Sequence, residues 1–382
     1  MLNYKKTSKP IFSPPWSSIA GKTVSRTKSI PFGRSYPCRH VSSKRFKLVE
    51  PSFPTISIIL ITWNSVQYIP RCLACLRAQT IQDFELILVD NGSTDSSPDL
   101  PEIHQQGLHI RVEKLGANLG FAAANNLGAR LARGEWLVLL NADAYPEPDW
   151  LEQLLYAAEQ NPAYTFFSSR QIQFHTPDLL DGAGDTYHIS GLAWRNAYKL
   201  PSKINALAKK EVFSACAAAA MYRREDFLAV GGFDEDYFSY FEDVDLGFRL
   251  RLAGKKCLYV PEAVVHHVGS ASTGKRSDFS VYYGYRNMIW TFFKDMPSPL
   301  IWFFFSVHVA TLLFFFGYLL LRGQGKVILR AIWGAARGLP AILKKRKIVQ
   351  KSRRATSSEL LKVMSTGLLE PYLEFLQRNR TK

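Results

Sequence analysis

The run ISIILIT, residues 56–62, packs four isoleucines and a leucine into seven positions between Pro54 and the turn-forming Trp63-Asn64-Ser65. A short apolar run bounded in this way reads as a strand covered on both faces. The same alternation continues outward from it. SVQYIPRCLACLRAQ (65–79) has helical spacing, and FELILVD (84–90) is a second buried strand. HIRVEK (109–114) reads as a short strand, GFAAANNLGARLA (120–132) as a helix, EWLVLLNAD (135–143) as a strand and PDWLEQLLYAAEQN (148–161) as a helix. Strands and helices alternating at this spacing predict a mostly parallel α/β sheet, in which ligands bind at the carboxyl ends of the strands. Polar clusters fall at three such ends: Thr62 to Asn64, Asp90 to Asp95, and Asn141 to Asp143. Each alone is an ordinary turn; three on one rim indicate a site. From about 165 to 285 the rhythm loosens through DGAGDTYH (181–188), SACAAAAM (214–221), VGGFDE (230–235) and CLYVPEAVVHHVGSAST (257–273). A mixed second half of this kind would complete one wall of a cleft.

The 382-residue chain carries a formal net charge of +16, concentrated at its ends. Residues 1–50 hold eleven Lys and Arg against Glu50 alone, and residues 322–354 hold eleven with no acid, so the middle is mildly acidic. Basic ends on an acidic body argue against a nucleic-acid binder, which needs its basic stripe on a folded face, and favour an anionic membrane surface. Five scattered cysteines give no disulfide framework and fit a reducing, cytoplasmic setting. Cys72 and Cys75 form one CxxC within a helical pattern, which reads as packing. Residues 1–50, rich in Pro, Ser and basic residues, read as a disordered tail, an over-long start or, less readily, a transit peptide.

Against this charge balance, SYFEDVDLGFRL (239–250) gathers Glu242, Asp243 and Asp245. Ser239 and Glu242 have capping-box spacing, Asp245 lies four before Arg249 on one helix face, and Gly254 is a helix stop. Asp243 has no structural explanation.

ISIILITWNS (56–65), ELILVDNGSTDSS (85–97), ANLGFAAANNLGA (117–129), LVLLNADAYPEPDWL (137–151), VGGFDEDYFSYFEDVDLGFRLRLAG (230–254) and AVVHHVGSAS (263–272) together resemble inverting family 2 glycosyltransferases, in the bacterial rhamnosyltransferase-like branch of cell-surface polysaccharide synthesis. The resemblance spans about residues 54–290. It implies a GT-A fold, Rossmann-like, with a donor half at about 54–165 and an acceptor half at about 166–290, inside a catalytic region 51–290. Its ED pair, Glu242 and Asp243, implies Asp243 as general base, with Glu242 capping the helix and orienting the acceptor. Asp143 matches the last position of the DxD-type metal motif for Mg²⁺ or Mn²⁺, and Asn141 replaces the first Asp, as in the NxD form of the rhamnosyl branch. His267 matches the metal- or diphosphate-proximal His, with His266 second. Asp90 matches the nucleobase-contacting Asp, and Thr62 and Asn64 match the nucleotide pocket. Asn91 and Ser93 extend that loop, where Asp95 either caps a helix or touches ligand. Asn118 and Gly120 shape a turn near the nucleotide, and Asn125 either contacts ligand or packs in its helix.

LIWFFFSVHVATLLFFFGYLLL (300–321) is free of formal charge and long enough to cross a bilayer. A single crossing conflicts with the positive-inside rule, because both the catalytic part and the basic stretch beyond Leu321 belong in the cytoplasm. KVILRAIWGAARGLPAILKKRK (326–347) suits an interfacial helix. Residues 297–350 therefore read as membrane-associated helices, monotopic or with one hydrophobic helix near 300–321, on the cytoplasmic face of a bacterial inner membrane, with 351–382 a helical tail. Arg286 and Asn287 lie where an acceptor phosphate would arrive, unless the Arg ties the domain to its tail. The partners expected are a nucleoside-diphosphate sugar, a lipid-linked glycan, the membrane surface and a second copy of the chain, with no nucleic acid. The rivals are a polyprenyl-phosphate glycosyltransferase and a noncatalytic membrane scaffold.

Overall fold

A computed structural model describes residues 54–203, 208–269 and 277–380, so the basic stretch 1–50 lies outside them. The chain forms β1 (Ile56–Thr62), α1 (Ile69–Arg77), β2 (Phe84–Asp90), β3 (Ile110–Lys114), α2 (Phe121–Leu131), β4 (Trp136–Asn141), β5 (Ala144–Pro146) and α3 (Trp150–Gln160). It continues with β6 (Phe166–Gln173), β7 (Leu180–Gly182), β8 (Asp185–Tyr187), β9 (Ala193–Arg195), β10 (Lys210–Val212), β11 (Ala219–Arg223), α4 (Arg224–Ala229), α5 (Glu242–Leu252) and β12 (Cys257–His267). The helices α6 (Asp278–Asp295), α7 (Ser298–Leu321), α8 (Gly325–Lys351), α9 (Ser357–Val363) and α10 (Glu370–Arg380) close the chain.

β1 shows why the strand run decides the architecture. Its side chains alternate between two cores: Ile56, Ile58 and Leu60 pack with α1 and α3, while Ile59 packs with α2 and α5. The period of two along a strand requires this division. The main sheet runs β10-β12-β6-β11-β4-β1-β2-β3. β4, β1, β2 and β3 are parallel neighbours, β12 is parallel to β6, and β11 is antiparallel to both β4 and β6. The expectation of a mostly parallel sheet thus holds on the first half; in the second half β11 runs antiparallel between β4 and β6, and the short strands β10, β5 and β7 also pair antiparallel, which sequence periodicity did not expose. Because β11 runs backwards, its leading residues Ala217 and Ala218 arrive at the rim where β1, β2 and β4 end.

Beyond the sheet, α6 and α8 run side by side in the same direction. Gln324 donates to Asp278 at one end (3.1 Å), and Gln350 donates to the Asp295 carbonyl at the other (2.8 Å). The helices approach closely because Gly338 carries no side chain; a Cβ there would sit 2.3 Å from the Trp290 ring. After α8 the chain returns to the sheet. Ala355, Leu360 and Met364 are buried with Tyr187, Phe213 and Phe248.

Candidate active site

Two adjoining cavities open on the carboxyl rim. The first, about 460 Å³, is lined by Trp63, Tyr68, Asn91, Asn118, Asp143 and Phe238 among others. The second, about 380 Å³, holds Trp194, Arg195, Glu242, Asp243 and His267. Phe121, Asn141, Asp143 and Ser239 line both, so the pair forms one cleft.

Side-chain amides stitch together the rim of the first cavity. Asn91 Nδ2 donates to Asn118 Oδ1 (3.0 Å), while Asn91 Oδ1 accepts from Leu119 N (2.9 Å). Asn118 Oδ1 also accepts from Gly120 N (3.0 Å). Gly120 has φ +91°, and a Cβ there would lie 2.6 Å from the Phe238 ring, so only glycine fits. The buried Asp90 carboxylate accepts from Ser93 N (3.2 Å), and Ser93 Oγ accepts from Asn64 N (3.0 Å). Asn64 adopts φ +51° and accepts from Thr94 N (2.8 Å). Thr62 is buried at the end of β1 with its Oγ1 lacking a hydrogen-bond partner. Asp95 accepts from Ser97 N (3.0 Å) and Val66 N (3.3 Å), which resolves it as a loop cap. Asn125 is buried and donates to Phe121 O one turn back in α2 (2.9 Å); Phe121 lines both cavities, and Asn125 itself lines neither.

In the second cavity, Asp243 Oδ2 accepts from Ala217 N (3.2 Å) and Oδ1 from Val244 N (2.9 Å). The capping box expected from Ser239 and Glu242 is absent. Phe241, the residue just before α5, has φ +67° and provides no side-chain cap, and this left-handed path turns Ser239 toward the cavities. Glu242, expected to cap, is instead buried with Oε2 unpartnered. Burial, then the adjacent Asp243, pushes the Glu242 carboxyl well above the usual range. Burial also raises Asp243, against the Ala217 and Val244 N–H groups and the Arg195 guanidinium, which pull it back. Of the pair, Asp243 carries the Ala217 and Val244 N–H groups and the Arg195 guanidinium that favour its charged form over that of Glu242. The Asp245–Arg249 pair (2.6 Å) and the Gly254 stop form as expected.

Between the cavities, His267 Nε2 lies 3.5 Å from Asp143 Oδ1, and His267 Nδ1 lies 2.7 Å from Asp181 Oδ2. Asp181 also pairs with Arg195. Burial alone would lower the His267 pKa, but Asp143 and Asp181 carry it up to about 9. His266 turns to the other face and meets Glu147 at 2.7 Å. Asp181 and Arg195 were missed in the sequence, where DGAGDTYH offers only turn chemistry and 86 residues separate Asp181 from His267. Arg286 Nη2 donates to the carbonyls of Asp236 (2.8 Å) and Tyr237 (3.0 Å).

The family model described as glycosyl transferase family 2 matches residues 57–231. The N-acetylglucosaminyl-diphospho-decaprenol L-rhamnosyltransferase of Mycobacterium tuberculosis is 32% identical over 247 residues, 58% of this chain and 78% of that one. The chain belongs to glycosyltransferase family 2. A PGL/p-HBAD biosynthesis glycosyltransferase of Mycobacterium bovis is also 32% identical, over 185 residues, 48% of this chain and 65% of that one. The crystal structure of GalNAc-T7 with UDP, GalNAc and Mn²⁺ superposes with a TM-score of 0.51 at 18% identity, over 63% of this chain and 48% of that chain. That likeness identifies the fold as GT-A. The family 2 glycosyltransferase thus carries the fold and enzyme class that its motifs resemble, and the scaffold alternative falls.

Proposed function

We propose that this glycosyltransferase moves a sugar, rhamnose in the first instance, with inversion from a nucleoside-diphosphate donor to a hydroxyl of a lipid-linked glycan. The observation that carries this is the shared wall of the two cavities, which sets Asp143 between the rim amides and Asp243. In this reading Asn91, Asn118, Asp90, Thr62 and Asn64 form the nucleotide side, and Asp243 takes the proton of the attacking hydroxyl from the acceptor side. Asp143 and His267 at the junction offer an oxygen and a nitrogen to a divalent cation, and no group of three or more His, Cys, Asp or Glu ligands gathers among the described residues. Asp181 ties down His267 Nδ1 and leaves Nε2 facing the Asp143 carboxylate, as carboxylates commonly hold the far nitrogen of a metal-binding histidine. Asp143, and His267 once it gives up its Nε2 proton, would hold Mg²⁺ or Mn²⁺, which when bound supplies positive charge against the diphosphate leaving group. Asn141 contributes a neutral oxygen beside them.

Membrane attachment fits the same reading. α7 is long and apolar enough to cross a bilayer by length and composition. Trp302 (78% exposed) and Phe303 on α7, and Trp333 on α8, face outward, and α8 returns with Lys344, Lys345, Arg346 and Lys347. Apolar and basic surface together suits a helix pair lying in an anionic interface. This favours monotopic attachment at the cytoplasmic face of a bacterial inner membrane.

The test is transfer by purified protein, offered dTDP-, UDP- and GDP-sugars with a prenyl-diphosphate-linked acceptor and Mg²⁺ or Mn²⁺. The expected result is transfer from one donor class, abolished by chelation, giving a product of inverted anomeric configuration. Folded protein that transfers from no donor, or that retains configuration, overturns the proposal.

The unequal support for charge on Asp243 and Glu242 gives a second expected outcome. Asp243 works as a base only when ionised, so the rate is full above its raised pKa and falls as pH drops through it, at a higher pH than an ordinary aspartate. Glu242→Gln reproduces the protonated form of Glu242 and should stay within about threefold of wild type at neutral pH, with the acid limb unmoved. A large loss in Glu242→Gln would assign the base to Glu242.

A further inference from the structure

We infer that Asn287, with Arg286 beside it, is a positioning residue for Asp243: it holds residues 237–240 in the strained backbone path that delivers the carboxylate to the cleft. The inference rests on the reading of Asp243 as the base.

The path is unusual for its sequence. Phe238, Tyr240 and Phe241 have φ of +65°, +67° and +67°. Residues with a Cβ are sterically disfavoured there, and bulky ones most of all. Such a conformation persists only when its surroundings over-determine it, and α6 supplies those surroundings. Asn287 is fully buried, and its Nδ2 donates to the carbonyls of Tyr237 (3.0 Å), Ser239 (3.0 Å) and Tyr240 (2.7 Å). Its Oδ1 accepts from Arg286 Nε (2.9 Å), which fixes the way the amide points. Arg286 extends the grip to the Asp236 and Tyr237 carbonyls, with its guanidinium 4.1 Å from the Trp290 ring centre. On the opposite side, Ala122 N donates to Phe238 O (3.3 Å) at the start of α2. Two adjacent side chains of α6 thus satisfy four carbonyls of the segment that ends at the base. Buried carbonyls require such partners, and a right-handed path would remove them and move the start of α5.

The test is a double-mutant cycle in full-length protein, using whichever of the dTDP-, UDP- and GDP-sugars gives the largest transfer. Asn287→Ala should lower kcat by about 100-fold, the scale of a 1 Å misplacement, with a much smaller change in donor affinity. Glycine adopts positive φ without penalty. In a Tyr240→Gly background the same substitution should therefore cost less than about tenfold relative to Tyr240→Gly alone. A purely structural role would give equal losses in both backgrounds, or a loss confined to thermal stability, and either overturns the inference. If Asn287→Ala does not fold, Arg286→Lys replaces it: the planar fork is lost while the charge stays, and an unchanged kcat overturns the inference. Asp243→Asn is run in parallel. If it turns over normally, the base assignment has failed and the positioning role falls with it; if it collapses while Asn287→Ala keeps full kcat, the positioning role alone has failed.

Discussion

Asp243→Asn should reduce sugar transfer by about 10²–10⁴-fold, the usual contribution of a positioned general base, while the donor still binds. The donor cavity is lined by Asn91, Asn118 and Asp143 and does not include Asp243, so the loss belongs to kcat. The substitution also tests the electrostatics from the other direction. Burial holds the Asp243 pKa above its ordinary value. A carboxyl whose pKa is raised by folding destabilises the protein at any pH where it is ionised. The neutral amide removes that charge, so the thermal midpoint at neutral pH should be unchanged or higher while turnover collapses. Single-turnover kinetics, donor-binding calorimetry and a melting curve read the three quantities. Normal turnover in the variant would remove Asp243 from the mechanism.

Lys294→Met should be the most destabilising single change in the helical region, costing about 3–5 kcal/mol, as when one partner of a buried ion pair is removed. Lys294 is 1% exposed, and its Nζ pairs with Asp234 (2.7 Å) and with the fully buried Asp245. Arg249 also serves Asp245, and Lys345 also serves Asp234, while burial and the neighbouring Asp245 push the fully buried Asp295 carboxyl well above the ordinary range. Asp234 and Asp245 are both held below the ordinary range, overcoming the upward push of burial. Stability from depressed carboxylates is present above their unfolded pKa and is lost as pH falls through the folded one. The deficit of Lys294→Met should therefore be largest at neutral pH and narrow toward acid. Lys114→Met is the control, because the Lys114–Asp99 pair is exposed on both sides and such pairs contribute about 0–1 kcal/mol. Chemical denaturation of both variants from neutral to acid pH measures the difference. Equal midpoints for Lys294→Met and wild type would show that the buried network carries no stability.

The first half of the fold was legible because each strand is short, apolar and bounded by turn residues, and each helix is periodic. β11 was not, because AAAAM is as compatible with a helix as with a strand, and its direction depends on partners far away in sequence. The rim residues Asn91 and Asp143 were legible from their places at strand ends, and Asn118 only through the family resemblance. Ser239 and Glu242 misled because capping-box spacing presumes an ordinary entry into the helix, and three left-handed aromatic residues replace that entry here. Asp181 and Arg195 meet His267 and Asp143 only through the pairing of β8 with β9 and the bend of β6 into β7, long-range geometry with no local sign. Asn287 was read, with Arg286, as lying where an acceptor phosphate would arrive, but its three backbone partners come from a different element.

The chain leaves the sheet through α6, runs out along α7, comes back along α8, and is then fastened again: the Leu252 carbonyl accepts from Arg354 N (2.8 Å) and Ala355 N (3.0 Å). Ser365 N donates to Tyr187 O (3.0 Å) beyond that. The greasy excursion is therefore an insertion and not an appendage. Cutting the gene before Ser298 to obtain a water-soluble preparation would also delete Leu360 and Met364, uncovering Phe213 and Phe248. Replacing outward-facing Trp302, Phe303 and Trp333 by polar residues leaves that fastening whole.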